Sequence, residues 1–321
     1  MSQFTQVAIT LVYGLIAIGA QEQQPPQAVT LSTPARVEAA MIAANGRVAA
    51  GVCHDHKVRV WALPDARLLQ TLDVSGRDMA VAVISDDGHW LLLGDYHNDV
   101  TVWDSFTGRA SFEQRFDRYL LAAAFSHDGR LLALAPGGRT LRIIDLVSNR
   151  VLSELERTPA ATGAVIFSRD NTLVATADGD AVRVYDVRTG KLISQNSDFV
   201  AEPLTVDFTP DGKQAVATGG DKVVVFIDSA TGKTLRRMTK TAAPAFYIAV
   251  SPDGSQFAAI TLNPNDMGLA APVIIFDIAS LQKKIEWTPP TGVVGAGTWT
   301  QDGHYLIATS TPQALHLWRL R

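Results

Sequence analysis

A small turn recurs seven times along this chain at a nearly fixed step, and no other feature limits the fold so strongly. The turns are Asn45-Gly46, Asp87-Gly88, Asp128-Gly129, Asp170-Asn171, Asp211-Gly212, Asp253-Gly254 and Asp302-Gly303, spaced 42, 41, 42, 41, 42 and 49 residues apart. A period of this size marks a repeat architecture, in which no unit buries its own apolar faces and each must stack on its neighbours. Seven contiguous repeats from about Val37 to Arg321 leave no room for a second fold, so one closed domain is expected from the 321 residues.

Within a repeat the turn sits between two strand-like runs, as with Leu120 to Phe125 before Asp128-Gly129 and Leu131 to Ala135 after it. This is a hairpin pattern. A third run follows at a fixed distance, for example Val58-Arg59-Val60-Trp61, Val100-Thr101-Val102-Trp103 and Val182-Arg183-Val184-Tyr185. Its β-branched and aromatic residues suit a strand packed on both faces. A second turn, such as Thr189-Gly190-Lys191 or Thr231-Gly232-Lys233, leads into a more polar run that reads as an exposed outer strand. Four antiparallel strands per repeat follow, ordered from inner to outer.

The residue closing the third run is Trp61, Trp103, Ile144, Tyr185, Ile227, Phe276 or Trp318, and Asp follows it in five repeats. Here the chain resembles the WD40-repeat β-propellers, whose repeat length and four-stranded blade match the spacing. The resemblance covers nearly everything after Ala28 and implies an all-β, seven-bladed propeller. The Gly-His pair that many family members carry is missing, with Gly76-Arg77 standing in one such place. The Asp expected six residues before the closing residue is present only as Asp55 and Asp221. With His and Asp never together, aliphatic packing is expected to replace the family's buried hydrogen-bond network.

After Trp318 only three residues remain, so the seventh repeat lacks an outer strand. Ala28 to Thr33 is strand-like and precedes the first inner strand. Pairing the two would complete the last blade and remove an exposed edge.

Val7 to Ala20 is an uncharged apolar run followed by Gln21-Glu22-Gln23-Gln24-Pro25-Pro26. Fourteen apolar residues fall short of the about 20 that span a bilayer but suit the apolar region of a secretory signal peptide. No Lys or Arg precedes them. Residues 1–20 thus read as a signal peptide, 21–27 as a polar linker and 28–321 as the propeller. The expected compartment is periplasmic or extracellular, with a cytoplasmic protein as the alternative. A monomer without a stable membrane span in the mature chain is expected.

Chemistry is sparse. A net charge of −4 argues against nucleic acid, whose backbone calls for a basic excess. The single cysteine, Cys53, rules out an intrachain disulfide. Signatures of nucleophilic, zinc-protease and dinucleotide chemistry are absent. The inner strands offer mostly alanine and glycine, with Glu38, Thr205, Asp207 and Tyr247 as polar exceptions. The sharpest polar clusters are His54-Asp55-His56 and His97-Asn98-Asp99, in matching turns of adjacent repeats. The sixth repeat carries an extra seven residues within a loop containing Asn265, Asp266, Met267 and Leu269. These ten residues are the candidate contacts for a protein or peptide partner on the rim. No enzyme, cofactor or metal is expected. The alternatives are a lactonase- or quinoprotein-like enzyme at the central channel, which needs Glu38, Asp207 and a histidine to meet, and a metal- or ligand-binding periplasmic module.

Overall fold

Each recurrent turn closes because its side chains cap its own backbone. In the third repeat Ser126 Oγ donates to Asp128 Oδ1 at 2.6 Å and accepts from Leu131 N at 2.8 Å, while Asp128 Oδ1 accepts from Arg130 N at 3.1 Å. Gly129 completes the turn at φ 68°, a left-handed conformation that glycine adopts at little cost. The same Ser/Thr-x-Asp arrangement recurs at Ser85, Ser168, Thr209, Ser251 and Thr300. The first repeat departs from it. Ala43 stands in the Ser position, and Asn45 donates to Asp87 O of the next repeat at 2.6 Å.

The Asp after the third strand has a matching task in the second turn. Asp228 Oδ1 accepts from Ala230 N, Thr231 N and Thr231 Oγ1 at 2.8–3.1 Å, and Asp145, Asp186 and Asp277 cap their turns in the same way. These local bonds fix the direction of each chain reversal before any blade meets another.

The computed structural model describes residues 7–15, 27–35, 37–138, 140–156, 162–239, 245–261, 272–288, 293–303, 305–311 and 314–319. Six sheets have four consecutive antiparallel strands each, and a seventh has five. The chain is therefore a seven-bladed β-propeller. Its inner strands are Val37–Ile42, Met79–Ile84, Leu120–Phe125, Thr162–Phe167, Pro203–Phe208, Ala245–Val250 and Val293–Trp299. In every blade the pairing of first and second strands shifts register near the start of the inner strand, as between Val37 and Ala39 or Met79 and Val81. Such a bulge sharpens the local twist, which suits strands crowded around an axis.

The core lies between the blades. Val48, Val58 and Val60 of the first blade pack with Leu91 and Leu93 of the second, and Val102 of the second clusters with Leu132 and Leu134 of the third. Each sheet thus buries both faces, one against each neighbour.

Aliphatic packing does not replace the missing network everywhere. In the second blade Arg77 occupies the place of the absent histidine. Its guanidinium donates to buried Asp95 Oδ2 at 2.6 Å, Thr101 Oγ1 at 3.0 Å and Asp99 O at 3.2 Å. A second arginine, Arg59, forks onto Asp55 at 3.0 and 2.6 Å in the first blade. Arginine supplies a planar, always charged donor that a buried carboxylate can hold, so these blades keep a polar interior by other means. Trp103 Nε1 is buried with no hydrogen-bond partner among the described residues.

An N-terminal strand completes the seventh blade, but the one beside Ala314–Arg319 is Val7–Leu15, running parallel to it. Gln27–Thr33 pairs antiparallel with Val7–Leu15 and lies one place farther out. The expected direct pairing of Ala28 to Thr33 with the last strand is thus corrected. The physical reason is that the longer uncharged apolar run satisfies the open edge of the last strand on one side and Gln27–Thr33 on the other.

Candidate functional site

The topology gives the ring two unlike faces. The seven recurrent turns lie on one, here called the turn face. Loops between blades and turns between second and third strands lie on the other, the loop face. Because the strands alternate in direction, His54-Asp55-His56 and His97-Asn98-Asp99 both fall on the loop face, in the first and second blades.

Their side chains do not converge. Asp55 is engaged by Arg59, which holds its carboxyl below the usual range. Asp99 lies 3.2 Å from Arg115. His54 Nε2 turns to Glu38 at 3.5 Å, with both side chains well exposed. Among the described residues no three His, Cys, Asp or Glu side chains are grouped to hold a metal ion. His56 and Asn98 adopt left-handed backbone at φ 57° and 77°, as residues in tight turns do. Asn265, Asp266, Met267 and Leu269 lie outside the described residues.

What the loop face does offer is aromatic surface, which the motif search missed. Tyr96 and Tyr119 are 59% and 40% exposed, and their rings lie 5.3 Å apart in a tilted pair bridging the second and third blades. Asn98 Nδ2 donates toward Asp117 O at 3.4 Å beside them. Phe246 and Tyr247 are exposed where the sixth inner strand begins. The available signal was position: Tyr96 directly precedes His97, and Tyr119 directly precedes an inner strand.

The axis is an open channel. A cavity of about 510 Å³ is walled by Ala40, Ala80, Ala82, Ala122, Ala123 and Ala164, among others, and its only charged wall residue among the described residues is Asp86. Small side chains at these inner-strand positions leave the bore open. Toward the loop face it continues past Gly163, Ala164 and Tyr247 into a mouth lined by Glu202, Leu204 and Phe246.

At the turn face the channel meets a ring built by the repeats themselves. The residue just before each turn acid or amide lines this mouth in all seven blades: Ala44, Asp86, His127, Arg169, Pro210, Pro252 and Gln301. The charged members come from consecutive blades. His127 Nδ1 contacts Asp86 Oδ2 at 2.7 Å. Burial pushes the imidazole pKa down, but the hydrogen bond and charge of Asp86, with the charge of Asp207, win and raise it.

Asp207 lies beneath the ring on the fifth inner strand. Its Oδ1 accepts from Phe208 N and its Oδ2 from Val250 N of the sixth blade, both at 2.7 Å. It keeps some accessible surface in the channel yet is enclosed by protein on all sides, and burial raises its pKa to about 6 against those two donors and the charges of His127 and Arg169. Glu38 sits with His54 at the other end of its strand, so Glu38, Asp207 and a histidine do not meet.

Comparison with known proteins agrees with the architecture. A family model described as outer membrane protein assembly factor BamB matches residues 59–203. A WD repeat-containing protein of Synechocystis sp. is 28% identical over 144 residues, which is 44% of this chain and 41% of that protein. A WD repeat-containing protein of Schistosoma mansoni is 27% identical over 47% of this chain and 51% of its own length. The matches thus span about half or less of these relatives. Among solved structures, the β-propeller domain of Cps50 (Swd1) from Myceliophteria thermophila superposes with a TM-score of 0.70 at 16% identity, covering 87% of this chain and 94% of that one. This likeness is one of fold.

Proposed function

We propose that this divergent WD40-like β-propeller is a non-catalytic platform that holds a protein or peptide partner on its loop face, and that residues 1–20 direct it out of the cytoplasm. The observation that carries the reading is the exposed Tyr96–Tyr119 pair on a rigid blade edge. Tyrosine supplies large contact area with few rotamers to immobilise, and such residues dominate the energetics of interfaces. His54, His56, His97 and Asn98, in matching turns of the first and second blades on the same face, supply polar groups suited to an interface rim. Asp55 and Asp99 serve by holding Arg59 and Arg115 in place. The loop with Asn265, Asp266, Met267 and Leu269 supplies further contacts in this reading.

The test is crosslinking of the full chain in its native host, followed by mass spectrometry, with matched variants. Tyr96→Ala combined with Tyr119→Ala is expected to lose the captured partner, while Phe106→Ala on the turn face keeps it, both with unchanged melting temperature. Retention of the partner by the double variant overturns the loop-face reading. Amino-terminal sequencing of the mature protein and its recovery in the cytoplasmic or exported fraction decide the leader.

A further inference from the structure

At its turn-face end the channel carries both signs of charge, and Arg169 and Asp207 are not paired with each other there. Asp86 and His127 are engaged with one another at 2.7 Å. Arg169 has no carboxylate within 4.0 Å among the described residues, yet lies close enough to Asp207 for their charges to act on each other. Asp207 accepts two backbone N–H groups, which leaves acceptor positions on a carboxylate that has about four. Away from that end the bore is apolar for its whole described length apart from Tyr247 and Thr298. An apolar pocket of a few hundred Å³ with a few placed polar groups at one end is the usual form of a small-molecule site.

We propose that the channel binds a small zwitterionic amphiphile, its ammonium against Asp207, its acid group against Arg169 and its apolar tail in the alanine-lined bore. A purely cationic head would face Arg169 with nothing to offer it. A purely anionic head would face Asp207 and Asp86. An uncharged tail alone would strip solvent from Arg169 and Asp207 and offer neither a partner. Only a head bearing both charges uses both groups. The proposal concerns the channel and stands apart from the loop-face reading.

Calorimetric titration of the full chain with 2-aminodecanoic acid, decanoic acid and decylamine at pH 7.5 tests it, with Trp299 at the mouth as a fluorescent reporter. The amino acid is expected to bind about tenfold or more tightly than either single-charge analogue, the worth of one charge-assisted hydrogen bond. Arg169→Gln, at an exposed position, should keep the melting temperature and erase the advantage over decylamine. Asp207→Asn should erase the advantage over decanoic acid, and Ala123→Phe should weaken binding of all three by narrowing the bore. Absence of binding, equal binding of all three probes, or undiminished binding by Ala123→Phe overturns the proposal.

Discussion

His127 Nδ1 sits 2.7 Å from Asp86 Oδ2 across the boundary between the second and third blades, so a single proton joins two repeats at the mouth of the channel. The imidazole pKa is raised in the fold, which means the folded state holds that proton more tightly than the unfolded chain does. This stability is fully present below the unfolded histidine value near about 6.5 and is lost as pH rises through the folded one. Asp207 acts in the same direction, because its pKa rises from 3.8 to about 6 and its ionised form is the less stable one. From pH 5 to pH 8 both groups therefore lower the free energy of unfolding.

The Asp207 part of the expected decline is roughly 1 kcal/mol, and His127 adds to it in the same direction. Urea titrations at pH 5.5 and 8.0 measure it. In Asp86→Asn the histidine contribution disappears and the decline becomes shallower. A wild-type stability that rises over this range, or an Asp86→Asn slope equal to that of wild type, would contradict the coupling.

Two glycines of like backbone but unlike surroundings separate conformational strain from blade packing. Gly232 (φ 73°) lies in the second turn of the fifth blade, where an added Cβ would press on the backbone of Gln195 in the outer strand of the fourth. Gly76 (φ 78°) has open space around it. Gly76→Ala should cost about 1 kcal/mol, the strain of a left-handed non-glycine residue alone. Gly232→Ala adds a clash with backbone that cannot rotate away and is expected to cost about 3 kcal/mol or more. Thermal unfolding of the two variants decides it, and equal losses would mean that the blades separate freely at this contact.

The repeat was legible because its chemistry is local. An Asp–Gly turn and the capping Asp after Ile227 or Tyr185 are each complete within a few residues, so their spacing alone reports seven blades. Ser126 and its equivalents were readable by the same logic, two positions before each turn Asp. Arg77 was not, since only the folded path shows that its long side chain reaches Asp95. The charged end of the channel was least legible of all. Asp86, His127, Arg169 and Asp207 belong to four repeats about 40 residues apart, and closure of the ring alone brings them together. Only an alignment of the seven turns would have shown that one position, just before the turn acid, supplies the mouth.

Ring closure yields the last prediction. In the first six blades the outer strand leads directly into the inner strand of the next blade, and Gln27–Thr33 does the same for Val37–Ile42. Gln27–Thr33 nevertheless lies outside Val7–Leu15, which pairs parallel with the last strand. Running antiparallel to Val7–Leu15, it has the direction that an outer strand takes in every other blade. Deletion of residues 1–20 is therefore expected to let Gln27–Thr33 move inward and pair antiparallel with Ala314–Arg319. The melting temperature should then fall by only a few degrees, as befits the exchange of one edge strand for another. Deletion of residues 1–34 removes both strands, exposes the last edge and should lower it by roughly 10 °C or more. Hydrogen exchange at the amides of Ala314–Arg319 separates the cases, with protection kept in the shorter deletion and lost in the longer. Equal loss in both would show that Val7–Leu15 is a required strand of the ring.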